Sequence, residues 1–388
     1  MSNKKLINGP LNVVRLEGKI NGIKKIIYVF FDIHMDVNNQ TKCAEFNSID
    51  IVNYLAKEFE AIPDKEIDFF MEGRTSEFEL FLKDIYFKDK YISEVIKFFA
   101  SNFKNKKFNN IRFHYIDIRD FFAEQVENIL RINENILTNL NQYKSSSIDI
   151  IITNFNTMKT INNKIVKIIE ANGNGKLKNN DSQNQKNMYK YIFKLNEKYI
   201  NDNVKEKMKI FKNLILKKFQ KQNKLIDGII VKLKEYNTNI KSSFDDYGRR
   251  IRNLPDNDSS SEEKLPSYSI DDHVYIDEIE KIYEKISYIN LQIFSLLMDS
   301  YFMRRFCDKD YITHAISYTG SAHSMAYVNF LVNQFDFKIT HIAKSDVSIE
   351  ELNKKLKDKF DFIKFARYFF PKTLLQCVDL SDFPEKFN

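Results

Sequence analysis

Apolar residues crowd into one unbroken run, Ile26-Ile27-Tyr28-Val29-Phe30-Phe31, which stops abruptly at Asp32-Ile33-His34-Met35-Asp36. A continuous run of β-branched and aromatic residues predicts a strand buried on both faces. Just ahead of it, Asn21-Gly22 lies between two apolar stretches and predicts a β-hairpin over residues 11–33, because this pair readily takes the positive φ angles of a type I′ turn. Ser48 as N-cap, with Ile49, Val52, Leu55, Ala56 and Phe59 on one face, predicts a helix that Pro63-Asp64 ends. A strand over 66–72, a helical stretch over 77–103 and a strand over 111–118 continue the alternation. Such alternation predicts an α/β fold, with a mostly parallel sheet and helices on both faces, preceded here by the N-terminal hairpin.

The texture changes after residue 120. Residues 121–240 read as long, highly charged helices, interrupted by Gly173-Asn174-Gly175 and by the polar tract 179–185, and predict a helical insertion. Residues 241–270 hold Asn257-Asp258-Ser259-Ser260-Ser261-Glu262-Glu263 and read as a flexible linker. Regular patterning returns in 271–388. A helix to about Phe306 carries Ile279, Ile282, Ile286, Ile289 and Ile293 on one side, and Asp271-Asp272-His273 reads as its cap. A strand over 312–319, a helix from Ser324, a strand over 336–342 and a last helix then complete the α/β core whose first part is 1–120. No repeat of fixed period is present.

Composition narrows the class. A hydrophobic share of 43% over 388 residues is enough to fill a sizeable core. No apolar run approaches the roughly 20 residues of a membrane span. The polar start and three scattered cysteines, Cys43, Cys307 and Cys377, fit a soluble intracellular protein with its thiols reduced. A net charge of +7 is modest for this length. Acidic residues interrupt the Lys-rich stretch 204–224, so the sequence does not argue for a nucleic-acid site. Phosphate-binding glycine loops, nucleophile elbows and cysteine-centred nucleophile arrangements are absent.

The chemistry gathers at strand ends, where open α/β sheets bind ligands. Asp32 and His34 close the first strand, Glu72 the second, and Gly320-Ser321-Ala322-His323 follows a late strand. Each has an ordinary structural alternative: a loop-capping His, a Glu72–Arg74 surface pair, a helix-capping His323. Their common placement is what points to a site. His34, near the ordinary imidazole pKa of about 6.5, would take a proton from water, and Glu72 would orient that water. Arg119 or Arg74 would balance a developing oxyanion. Two imidazoles with Asp32 and Glu72 suit a divalent metal, zinc or manganese.

Phe31-Asp32-Ile33-His34, Met71-Glu72, Asp117-Ile118-Arg119 and Gly320-Ser321-Ala322-His323 together resemble the motif order of the superfamily of erythromycin esterases, ChaN-type haem-uptake proteins and TIKI-type metalloproteases. The resemblance implies hydrolysis of an ester or amide in a small molecule or peptide, with His34, Glu72, His323 and Arg119 as catalytic residues. It departs at Phe31 and Asp32, where the family has Gly and Glu; Phe31 is expected to narrow the pocket, or to plug it in a non-catalytic binding or structural descendant. Uncharacterised proteins of large AT-rich DNA viruses also look similar, which would place the chain in infected host cytoplasm or a virion.

Overall fold

The computed structural model describes residues 4–34, 41–73, 91–104, 107–140, 145–174, 182–252, 270–358, 362–370 and 374–387. Arg74, Met35 and Asp36 therefore lie outside the described residues, as does most of the helix expected over 77–103.

The hairpin pairs β2 (Asn12–Ile20) with β3 (Ile23–Asp32) in a register that closes on Ile20 opposite Ile23. Asn21 at φ 51° and Gly22 at φ 80° make the two-residue turn, the conformation for which this dipeptide is suited. On its other edge β3 runs parallel to β7 (His314–Gly320), β7 runs parallel to β5 (Ile67–Met71), and β5 to β6 (Ile111–Tyr115). β8 (Lys338–Ile342) joins antiparallel to β2, giving the order β6-β5-β7-β3-β2-β8. The sheet is therefore mixed. Three of its five pairings are parallel, and the hairpin expected at Asn21-Gly22 supplies one of the two antiparallel ones, because a two-residue turn can only return the chain antiparallel.

Both faces of the central strands are covered. Phe30 and Phe69 pack among Leu55 and Phe59 of α1 (Ile51–Glu60) and Val95 and Phe99 of α2 (Tyr91–Lys104). Their neighbours Phe31 and Phe70 point the other way, onto Phe369 at 5.4 Å and Phe302 at 4.9 Å. Full burial of each such ring stabilises by about 1.5–3 kcal/mol, and this fixes which residues end the strands. The helix expected from Ser48 starts instead at Ile51. Ile49–Asp50 form a short strand, β4, beside β1 (Leu6–Asn8), and the Asn8 amide holds both Ser48 and Asp50.

β1 also pairs antiparallel with β9 (Cys377–Asp379), so the order is β4-β1-β9. That small sheet brings together residues 334 positions apart: Cys43 and Cys377 form a disulfide with Cα atoms 4.9 Å apart. Cys307 is the one free cysteine and is buried. The expectation of three reduced thiols is overturned, and the reason is topological, since pairing across β1 leaves no trace in cysteine spacing.

The chain divides into two compact units. The unit just described comprises residues 1–120, 198–208 and 297–388. The second, residues 121–197 and 209–296, is built among its described residues from α3 (Ala123–Leu140), α4 (Ser145–Glu170), α5 (Gln183–Glu197) and parts of α6 (Asp202–Arg252) and α7 (Ile270–Asp308). Its core includes Ile136, Phe155, Ile226, Ile229 and Ile286. A buried relay from Asn162 to Gln222 (2.8 Å) and on to Asn290 (2.6 Å) ties α4, α6 and α7 together in one register. α6 runs on to Arg252, so residues 241–252 are helical and not linker; 253–269 lie outside the described residues.

Candidate functional site

Strand register assembles the site. Asp32 pairs with Gly320 across β3 and β7, and Met71 pairs with Tyr318 across β5 and β7, so three neighbouring strands end at one level. The chain turns sharply after Asp32. His34 adopts φ 54°, a left-handed conformation uncommon for a residue with a side chain, and Asp32 holds it there by accepting the His34 backbone N–H at 2.6 Å. The same carboxylate oxygen lies 2.8 Å from His34 Nδ1, and the other accepts the Tyr318 hydroxyl at 2.9 Å. Ser321 Oγ donates to the Asp32 carbonyl at 2.8 Å.

Glu72 sits at the centre. Its Oε2 accepts the backbone N–H of Gly320 at 2.6 Å, the residue that caps α8 (Ser321–Phe335). Gly320 offers no side chain of its own to that helix end, so the Glu72 carboxylate supplies the negative charge the N-terminus favours. His34 Nε2 stands 3.4 Å from Oε2, and His323 Nε2 stands 3.7 Å from Oε1. On the far side of its ring, His323 Nδ1 lies 2.6 Å from Asp299 Oδ1. The result is an alternating row, Asp32–His34–Glu72–His323–Asp299. Gly320 must be glycine for this row to close, because a Cβ there would stand 2.8 Å from His34 Nε2.

Three carboxylates face two imidazoles, and the charges respond. Burial would lower the His34 pKa, but its hydrogen bonds to Asp32 and Glu72 raise it to about 10. His323 likewise is pushed down by burial and then lifted to about 9 by Asp299 and Glu72. Burial pushes Glu72 up, and the two histidines with the Gly320 N–H bring it down to about 2. Burial lifts Asp299 above its ordinary value, with His323 pulling against the rise. His34 is therefore not poised near 6.5 as expected from the sequence: at neutral pH it already carries the proton a general base would have to accept.

Of the residues singled out in the sequence, Asp32, His34, Glu72 and His323 meet here. Arg119 stands on the turn after β6, with its guanidinium forked onto Asp117, Nε lying 2.9 Å from both carboxylate oxygens. Phe31 does not narrow the site. It is fully buried, stacked on Phe369 and turned away from Asp32 by the alternation of the strand, while the His34 side chain is 36% exposed. Asp299 was missed by the sequence reading. Its signal was an acid inside the apolar run Leu296-Leu297-Met298-Asp299 of α7.

The donor types are those a divalent cation takes, two imidazoles and a carboxylate. Each imidazole has its Nδ1 held by an aspartate and its Nε2 facing Glu72, which is the ring orientation a metal-ligating histidine takes. Bonds of about 2.0–2.1 Å to a tetrahedral ion place neighbouring donors about 3.3–3.4 Å apart. The separations of 3.4 and 3.7 Å lie at or just beyond that. As the side chains stand, no group of three or more His, Cys, Asp or Glu among the described residues is arranged to hold a metal ion. No helix among those residues is long and apolar enough to cross a membrane.

Comparison with known proteins places the relatives in a giant virus. Uncharacterized protein R706 of Acanthamoeba polyphaga mimivirus is 33% identical over 425 residues, covering 100% of this chain and 98% of its own. Uncharacterized proteins R161 and R160 of the same virus are 30% and 31% identical and are likewise matched over 98% of their length. No solved structure matches. The likeness to the esterase superfamily remains one of motifs, whereas residues 5–388 match the model of a family of unknown function, DUF5847, and the chain belongs to that family.

Proposed function

We propose that this protein is a divalent-cation-dependent hydrolase of ester or amide bonds, working at the His34–Glu72–His323 row. The observation that carries the reading is the paired ring orientation: both Nδ1 atoms are occupied by aspartates and both Nε2 atoms are turned to one glutamate. Two extra protons on the imidazoles carry the same charge as one divalent cation, so exchanging them preserves the electrostatics that the carboxylates are built around. His34, His323 and Glu72 would hold the ion, and Asp32 completes the set around His34. Held there, such a cation would supply Lewis-acid polarisation of a carbonyl and a water acidified to a pKa near 7.

The chain's own groups do the rest. Asp32 keeps the His34 ring from rotating, and the Gly320 N–H keeps one oxygen of Glu72 fixed. Water adds to the carbonyl carbon, the bond to the leaving oxygen or nitrogen breaks, and the proton passes to the leaving group. His34 is the exposed member of the row and the one a substrate meets first. The motif resemblance to esterases and TIKI-type proteases supports the same reaction class.

The test uses the full chain, stripped by chelator and assayed with neutral nitrophenyl esters and aminoacyl coumarin amides, with and without added Zn²⁺ or Mn²⁺. Hydrolysis that requires the ion and drops at least about 100-fold in His34→Ala and His323→Ala is expected. Absence of hydrolysis with either ion, or equal hydrolysis in the variants, would overturn the proposal.

A further inference from the structure

Asp299 is the one member of the row whose role the proposed reaction leaves unassigned. It is only 4% exposed, and Leu297, Met298 and Phe302 on the same helix are buried with it. A carboxylate in such a place costs several kcal/mol unless it is paired, so packing alone would favour another apolar residue. Its short hydrogen bond is to His323 Nδ1, at 2.6 Å, and the Tyr327 hydroxyl also donates to it. The contrast with Asp32 is instructive. Asp32 builds backbone as well as orienting a ring, since it accepts the His34 N–H and the Tyr318 hydroxyl. Asp299 bonds to no backbone group of that turn.

We infer that Asp299 is a positioning residue that holds the His323 ring by Nδ1, so that Nε2 faces Glu72 and is the nitrogen that gives up its proton to a cation. The inference rests on the proposed cation site and names a residue that neither the motifs nor the family description assigns. An asparagine at 299 is nearly isosteric, but its amide can donate as well as accept, so the ring is no longer held to one tautomer. A glutamate keeps the charge and can regain the bond by a small adjustment. Loss of such a partner behind a ligating histidine typically weakens metal binding about 10–100-fold.

The experiment compares wild type with Asp299→Asn, Asp299→Ala and Asp299→Glu in the full chain. Zn²⁺ affinity is read by calorimetry, the ligand field by Co²⁺ absorption, and the His323 ring by ¹⁵N-histidine NMR of the ion-free protein. Expected are a low-field Nδ1–H resonance in wild type that disappears in Asp299→Asn, Zn²⁺ affinity lowered about 10–100-fold with an altered Co²⁺ spectrum, and partial rescue in Asp299→Glu. Wild-type affinity and spectrum in both Asp299→Asn and Asp299→Ala would overturn the inference. So would a wild-type ring resonance that survives both substitutions. If wild type binds no ion, the proposed function fails, and the NMR comparison still decides whether Asp299 holds the ring.

Discussion

Gly320→Ala should damage the site while changing the stability of the fold little. Gly320 has φ −53° and ψ 144°, angles that alanine adopts without strain, so the backbone gains about 0.4–1 kcal/mol through the unfolded chain, which offsets the weakened His34–Glu72 pair of the ion-free protein. The added methyl carbon would stand 2.8 Å from His34 Nε2 and 3.2 Å from Glu72 Oε2. His34 is the exposed, movable party and must retreat by about 0.6 Å to reach ordinary contact, which carries Nε2 away from Glu72. Misplacement by about 1 Å costs on the order of 100-fold in a working site. A 10–100-fold loss in Zn²⁺ affinity, about 1.4–2.8 kcal/mol, is therefore expected. Calorimetry on wild type and variant, beside thermal melts of both in chelator, reads the two effects separately. An alanine variant that binds Zn²⁺ like wild type would refute the reasoning, because His34 Nε2 would then not belong to the working set. A variant that melts well below wild type would refute the claim that the glycine serves the site and not the fold.

The Cys43–Cys377 disulfide closes a loop of 334 residues, for which the chain-entropy model gives about 5–6 kcal/mol at most, so reduction or Cys377→Ser should lower the melting temperature clearly. Thiol titration of denatured protein should find Cys307 alone before reduction and all three cysteines after it; three reactive thiols before reduction would exclude the bond. In ion-free protein, the raised His34 and His323 pKa values contribute stability that is full below about 6.5 and is lost as pH rises through about 9–10. Glu72, with its pKa lowered to about 2, contributes stability present above about 4.5 and lost as pH falls toward 2. The difference in melting temperature between wild type and His323→Ala, followed across pH, should therefore be largest between these limits; a difference independent of pH would contradict the charge assignment. Phe31→Leu should cost about 1 kcal/mol or less of folding stability and leave hydrolysis intact, whereas a large rise in activity would restore Phe31 as a plug.

How much of this was legible beforehand depended on the range of the interaction. The hairpin was readable because Asn21-Gly22 carries its own turn geometry, and the strand ends at Asp32 and Glu72 because each terminates an apolar run. The turn at Gly320 announced itself through glycine before a helix, although the helix begins at Ser321 and not at Ser324, since the Glu72 carboxylate caps it from another strand. What escaped was set by partners remote in the chain. The disulfide follows from β4 and β9 flanking β1, and the helix start at Ile51 from the Asn8 amide. The His34 protonation state follows from Asp32 and Glu72 together, and Asp299 acquires a role only when α7 is laid beside His323.

The most direct test of the central claim is an anomalous-scattering map from crystals of the full chain grown with Mn²⁺ or Zn²⁺. The account predicts a peak bounded by His34 Nε2, His323 Nε2 and the Glu72 carboxylate, with Asp32 and Asp299 still on the Nδ1 atoms. Crystals whose map is empty there at millimolar ion, with both imidazoles still paired to Glu72, would contradict it and leave the row as an ion-pair lock on the fold.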